Sequence, residues 1–278
     1  MGRAAGSVDR DGFELEFLRE GSGIPMLVVA APNYYRRVLP QSLRDCFEMV
    51  FCDLRLWTPS PPGFDLTTVT RDTYSDDIEA LRQAVALDRP VIFGHSIHGT
   101  LALEYARRYP EHTRGVVAVG AHPVGYNELW EAEAEFFQAD AEPARVKAHE
   151  RNLASRRVPT TLDNRQDFVD QYVANAAIFW FDPTFDATEL WEETEPNLPV
   201  FSHLIGKLYQ EYRLAPLDVP VFLAQGRYDY DVPSYLWDEP RKRLLNHQYY
   251  QYARSGHTPP FEEPERFVSD LWAWAKSL

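Results

Sequence analysis

A chain of 278 residues, 45% hydrophobic and 25% charged, is long enough to bury a large core and has the make-up of an ordinary folded protein, which excludes intrinsic disorder. Its formal charge of −14 repels phosphate at long range, so nucleic acid and anionic membranes are excluded as partners and a neutral or cationic small molecule is expected. No segment approaches the roughly 18–20 apolar residues needed to span a bilayer, and MGRAAGSVDRDGFELEF lacks the apolar run of a secretion signal, so the expected location is the cytoplasm.

In chain order, the alternation in GFELEF and the apolar run MLVVAA predict an edge strand or hairpin leading into a buried strand. A short helical piece is expected at residues 41–46, then a strand in EMVFCDLR. Cys46 and Cys52 lack the CxxC spacing of a zinc or redox site and read as two buried free thiols. DTYSDDIEALRQAVAL has helix periodicity, with Ile78, Leu81, Val85 and Leu87 approximating one face and acids early, where the helix dipole favours them. Pro90 opens the strand VIFGH, residues 100–109 supply a helix stopped by Pro110, and the strand GVVAVGAH follows. Apolar strands alternating with amphipathic helices indicate a mostly parallel sheet covered on both faces.

At residue 122 the pattern changes. Through residue 214 strands disappear and stretches such as ELWEAEAEFFQADAEPARVKAHERNLASRR read as helices with acidic outer faces, an inserted helical cap. This span holds 17 acidic and 8 basic residues, so it carries nine of the 14 net negative charges. Residues 1–121 and 215–278 form the expected core, the latter through the strand DVPVFLAQGRYD, a helix at 237–245, the strand HQYYQYA and a last helix in PERFVSDLWAWAKSL.

The stretch GHSIHG runs an apolar strand directly into a helix with Ser96 at the junction, the context of a strained turn that lifts a nucleophilic hydroxyl clear of a sheet. Gly94, two residues before, meets the need for a small neighbour. Two residues after stands His98, with Gly99 one step later. His95 and His98 flank the serine, but on a sharp turn consecutive side chains diverge, and a base must lie within about 2.6–3.2 Å of the hydroxyl and be held by a third group. Better candidates lie downstream: Asp229 beyond a strand in VPVFLAQGRYDYDVP, with Asp231 as its competitor, and His257 in ARSGHTPPFEEPERF. The order serine, acid, histidine is the one that the α/β-hydrolase architecture imposes. In a parallel sheet such loops leave at one edge, where ligands bind. A metal site from His95 and His98 is the lesser reading, because their spacing is not that of HExxH.

On GHSIHG, GRYDYDVP and SGHTPPFEEPERF, with CDLR and LALEYARRYP in support, the chain resembles serine hydrolases of the α/β-hydrolase superfamily, in the proline iminopeptidase-like and lipase-like branch. The resemblance covers most of the core and none of residues 122–214. It implies an α/β-hydrolase fold with a cap, Ser96 as nucleophile, His257 as base, Asp229 as its orienting carboxylate, and no metal or organic cofactor. Relatives carry His-Gly after the first central strand where this chain has Ala31-Pro32-Asn33; Pro32 has no N–H, so the expected oxyanion donors are the backbone N–H groups of Asn33 and Ile97.

The Tyr34-Tyr35 pair together with GHSxHG further resembles a subgroup that includes serine esterases acting on macrolide lactones. Tyr34, Tyr35, His98, His122 and Trp180 are the expected substrate contacts, His98 serving either packing or substrate. The expected reaction is hydrolysis of a carboxylic ester or lactone through an acyl-serine. An acidic cap entrance would draw an amine-bearing substrate, which also fits the alternative, a proline iminopeptidase-like aminopeptidase. A third reading is a ligand-binding protein with little turnover. Haloalkane dehalogenase or epoxide hydrolase chemistry would need a carboxylate where Ser96 stands.

Overall fold

The computed structural model describes residues 4–278, so the first three residues of the expected core lie outside it. Strands β1 (Ala4–Arg10) and β2 (Phe13–Gly21) form an antiparallel hairpin. They lead into β3 (Ile24–Val29), β4 (Phe47–Cys52), β5 (Val91–His95), β6 (Gly115–Val119), β7 (Val221–Gly226) and β8 (His247–Tyr252). The single sheet has the order β1-β2-β4-β3-β5-β6-β7-β8. β2 meets β4 antiparallel, and every pairing from β4 across to β8 is parallel. Every residue of β5, β6 and β7 is buried, which requires cover on both faces of the sheet.

Crossover helices provide that cover. α1 (Pro32–Val38) joins β3 to β4, α2 (Arg71–Ala84) joins β4 to β5, and α3 (Ile97–Arg108) joins β5 to β6. Between β6 and β7 run α4 (Tyr126–Asp140), α5 (Pro143–Ser155), α6 (Arg165–Ala174), α7 (Ala176–Phe179) and α8 (Leu198–His203), none contributing a strand to the sheet. The excursion closes at its base, where Val124 bridges Arg213 and the Leu214 N–H donates to Pro123 O at 3.0 Å. After β8 come α9 (Pro259–Glu262) and α10 (Pro264–Ala275), which sets Trp272 edge-on to Phe47 and Trp274 against Phe222. No helix among the described residues is long and apolar enough to cross a membrane.

Four local expectations are corrected. α1 is a helix that the apolar pattern did not mark; Pro32 starts it, since proline's fixed φ and missing N–H are harmless at a first helical position. α3 begins at Ile97, directly behind Ser96, rather than at residue 100. The helix expected at 237–245 is instead two single 3₁₀ turns, Ser234–Trp237 and Pro240–Arg243, because Pro240 cannot donate to a continuing helix. Cys52 is buried as expected for a free thiol, but Cys46 is only partly so. In CDLR, Arg55 is fully buried and pairs through Nε and Nη2 with Asp77 at 2.6 and 2.9 Å, while Nη2 also reaches Asp11, tying the hairpin turn to α2.

Candidate active site

The serine turn has a steric explanation. Ser96 sits at φ 57° and ψ −134°, a conformation rare for a residue with a side chain and costing on the order of 1–3 kcal/mol, held here because its N–H donates to Val119 O at 2.8 Å. A Cβ on Gly94 would stand 2.2 Å from His98 O, and one on Gly99 would stand 2.7 Å from Ala121 Cβ. The helix therefore approaches its strand so closely that both positions must be bare. Because Gly99 meets this need one step later than usual, residue 98 can carry an imidazole.

Three residues beyond β7, Asp229 is fully buried. Its Oδ1 accepts the Val232 N–H at 2.9 Å, and its Oδ2 accepts from Nδ1 of His257, also at 2.9 Å. His257 stands five residues beyond β8 and is 5% exposed. Burial presses the His257 imidazole toward neutrality, but the Asp229 charge and hydrogen bond, then Asp231 and Glu262, outweigh it and raise its pKa from 6.5 to about 9. Its Nε2 lies 3.5 Å from Asp231, and Ser96 and His257 line one cavity. Among the described residues no hydrogen bond joins the two.

His95 has a different task from proton abstraction. The carbonyl of His257 can only accept, so Nε2 of His95 donates to it at 2.9 Å, and Nδ1 accepts the Tyr35 hydroxyl at 2.8 Å. Burial, then the charge of His257, holds the His95 pKa well below 6.5. His98 accepts the indole N–H of Trp57 on Nε2 at 2.9 Å, stacks on that ring, and is pushed down to about 4 by burial. With these nitrogens engaged, the two histidines offer no convergent pair of metal ligands. Donor atoms of Asp229, Asp231 and His257 do lie within 4.8 Å of one another, a spacing open to a cation. Yet both oxygens of Asp229 already accept hydrogen bonds, one of them from Nδ1 of His257.

Two cavities meet at Ser96 and Ile97. The first is walled by Tyr34, Tyr35, Trp57, His98, Trp180, Trp191 and His257. The second is larger, runs under the cap and is lined by Tyr126, Trp130, Glu133, Tyr172 and Asp231 among others. Four of the five expected substrate contacts thus line the first cavity. His122 is the correction: it is 1% exposed, gives Nδ1 to Val124 O at 2.9 Å and stands edge-on behind Tyr126, on the wall of neither cavity. Its place at the core-to-cap handover put it near the site, but its ring turns into the packing.

The two expected oxyanion donors differ in position. Ile97 is the first residue of α3 and lines both cavities; its N–H has no acceptor within the helix. Asn33, in the first turn of α1, also has a backbone N–H without an intrahelical acceptor. Its side chain faces a separate cleft and donates to Glu193 O at 2.7 Å, which pins α1 to the cap.

Sequence reasoning missed Glu262. Its Oε1 accepts the Phe181 N–H at 2.6 Å, and its Oε2 accepts from Gly256 N–H at 2.9 Å and Thr258 N–H at 3.1 Å, so one carboxylate clips the His257 loop to the cap. Burial raises its pKa to about 7 against the pull of those N–H groups. The His257 N–H donates to Phe179 O at 2.6 Å across the same seam, where a Cβ on Gly256 would come within 2.3 Å of that oxygen. Glu262 was in plain view in SGHTPPFEEPERF, but nothing local separates it from the other acids around it.

With this geometry in hand, comparison with known proteins agrees with the fold. Residues 23–264 match the α/β hydrolase fold family. The chain is 30% identical over 275 residues to the AB hydrolase superfamily protein YclE of Bacillus subtilis (strain 168), covering 97% of this chain and 98% of that one. A shorter match, 35% identical over 111 residues, covers 40% of this chain and 34% of the proline iminopeptidase of Xylella fastidiosa (strain Temecula1). Among solved structures, VinJ superposes with a TM-score of 0.72 at 21% identity, over 99% of both chains. The protein belongs to the α/β-hydrolase superfamily.

Proposed function

We propose that this protein is a serine hydrolase that cleaves a carboxylic ester or lactone through an acyl-enzyme. The observation that carries the reading is the buried Asp229–His257 hydrogen bond, with His257 lining the cavity that the strained Ser96 turn also lines. In the proposed cycle His257 removes the Ser96 proton through Nε2 as Oγ attacks the carbonyl, then returns a proton to the leaving alcohol. Water activated by the same nitrogen next hydrolyses the acyl-serine. Asp229 fixes the tautomer that leaves Nε2 facing the hydroxyl and steadies the imidazolium. Free N–H groups at the starts of α3 and α1, those of Ile97 and Asn33, are the proposed oxyanion donors. Tyr34, Tyr35, His98 and Trp180 would hold the apolar part of a small-molecule substrate, with macrolide lactones among the candidates.

The aromatic cavity and the acids beneath the cap also suit an aminopeptidase acting on N-terminal proline, so proline 4-nitroanilide belongs in the same panel as aryl esters and lactones. A fluorophosphonate probe should label the wild type at Ser96. Ser96→Ala should lose both labelling and at least about 10³-fold in ester kcat/KM. Full activity in that variant would overturn the assignment.

A further inference from the structure

Asp231 is the acid that the proposed cycle does not use, and it lies 3.5 Å from the His257 nitrogen that the cycle needs free. His257 is clamped between two carboxylates, with Nδ1 against Asp229 at 2.9 Å and Nε2 3.5 Å from Asp231 Oδ2. Held so, the ring is an imidazolium with no lone pair to accept the proton of Ser96. The two acids differ in access. The Asp229 side chain is sealed at 0% exposure, whereas that of Asp231 is 21% exposed and lines the larger cavity together with Ser96, Ile97, Glu133 and Tyr126.

We propose that Asp231 gates the base. In the free protein it holds Nε2 of His257, and the ammonium group of an amine-bearing ester or lactone in the larger cavity replaces His257 as its counter-ion and releases that nitrogen to Ser96. This deepens the serine hydrolase reading and rests on it. The exchange balances: the protonated substrate amine brings one positive charge, Nε2 gives its proton to water, and Asp231 stays ionised throughout. The neutral imidazole then accepts the Ser96 proton as Oγ bonds to the carbonyl carbon.

The surroundings favour Asp231 as the acceptor. The groups acting on it are His257 and Asp229, while Glu133 and Tyr126 on α4 and Tyr172 on α6 feel its charge in turn. Glu262, bonded to the backbone on either side of His257, adds to the charge acting on that ring. His257 is the one positive group stabilising the Asp231 charge among the described residues, so a second cation in the cavity competes with it directly. Glu133 is raised to about 8 by burial and by Asp231 and Asp229, which leaves it protonated near neutrality. Burial raises Asp231 to about 6, offset in part by His257, so it remains charged there.

The test has two arms. In the first, 4-nitrophenyl 6-aminohexanoate and the isosteric heptanoate are compared at pH 7; wild type should prefer the cationic ester about tenfold or more in kcat/KM, and Asp231→Asn should bring the two within about twofold, chiefly by a gain in kcat on the heptanoate. Simple structural damage would not raise kcat on a neutral ester. In the second arm, His257 is titrated by NMR in Ser96→Ala protein with and without hexylammonium. The amine should lower the proton affinity of His257 about tenfold, and adding Asp231→Asn should lower it to the same degree and abolish the response to the amine. An unmoved His257 titration in the Asp231→Asn protein, or a response to hexylammonium that survives the substitution, overturns the proposal. The second arm needs no turnover, so it decides the gate even where labelling of Ser96 fails.

Discussion

Two carboxylates two residues apart do opposite things to one imidazole. Asp229 accepts from Nδ1, and Asp231 lies 3.5 Å from Nε2, the nitrogen that carries the proton in the proposed cycle. The pH dependence follows from the sign. A histidine raised to about 9 is charged at neutrality, so kcat/KM for an uncharged ester should climb as pH rises through that value in the free enzyme. The same shift lends the fold stability that is fully present below about 6.5 and lost as pH rises through about 9. Stopped-flow or steady-state rates from pH 6 to 10 check the first statement, and a rate already at plateau by pH 7 would contradict it. Asp229→Asn, which cannot hold the same tautomer, should cost about 10³–10⁴-fold in kcat while leaving KM nearly unchanged.

At the scale of elements, the loop carrying His257 owes its shape to the cap. Phe179 O takes its N–H, Glu262 gathers three more N–H groups from both sides of the seam, and His95 at the end of β5 holds its carbonyl. Removing the carboxylate with Glu262→Ala orphans the N–H groups of Phe181, Gly256 and Thr258. At about 1–3 kcal/mol for each buried donor, partly relieved by water, a loss of about 2–4 kcal/mol is expected in urea unfolding. Faster hydrogen exchange at those amides would accompany it. Exchange unchanged at Gly256 and Thr258 would mean that the loop holds itself. None of this clip was legible from local sequence, because an acid that accepts three N–H groups and one that faces water look alike until the chain has folded.

Over the whole molecule, charge is the property that reaches furthest. Nine of the 14 formal net negative charges fall in residues 122–214, and Asp231, charged near neutrality, lines the larger cavity beneath those helices. A cationic ester should therefore be drawn in from a distance and a neutral one should not. Between about 20 and 500 mM NaCl, kcat/KM for the aminohexanoate ester should fall several-fold while that for the heptanoate stays within about twofold. Equal salt responses would show that the acids are only a solvated face.

The alternation of apolar strands with amphipathic helices was enough to indicate the parallel sheet, because burial on both faces makes β5, β6 and β7 apolar except at His95 and Gln225 near two strand ends. The chain order of Ser96, Asp229 and His257 likewise pointed to one edge, since parallel strands deliver their following loops to the same end. Decisions that compare partners far apart in the chain belonged to the tertiary structure: Asp229 rather than Asp231 at Nδ1, His95 turned to hold a carbonyl, His122 folded away behind Tyr126, and the cap reaching Glu262. A side chain's direction depends on which neighbours close around it, and those neighbours meet only when the sheet, the helices and the cap are assembled.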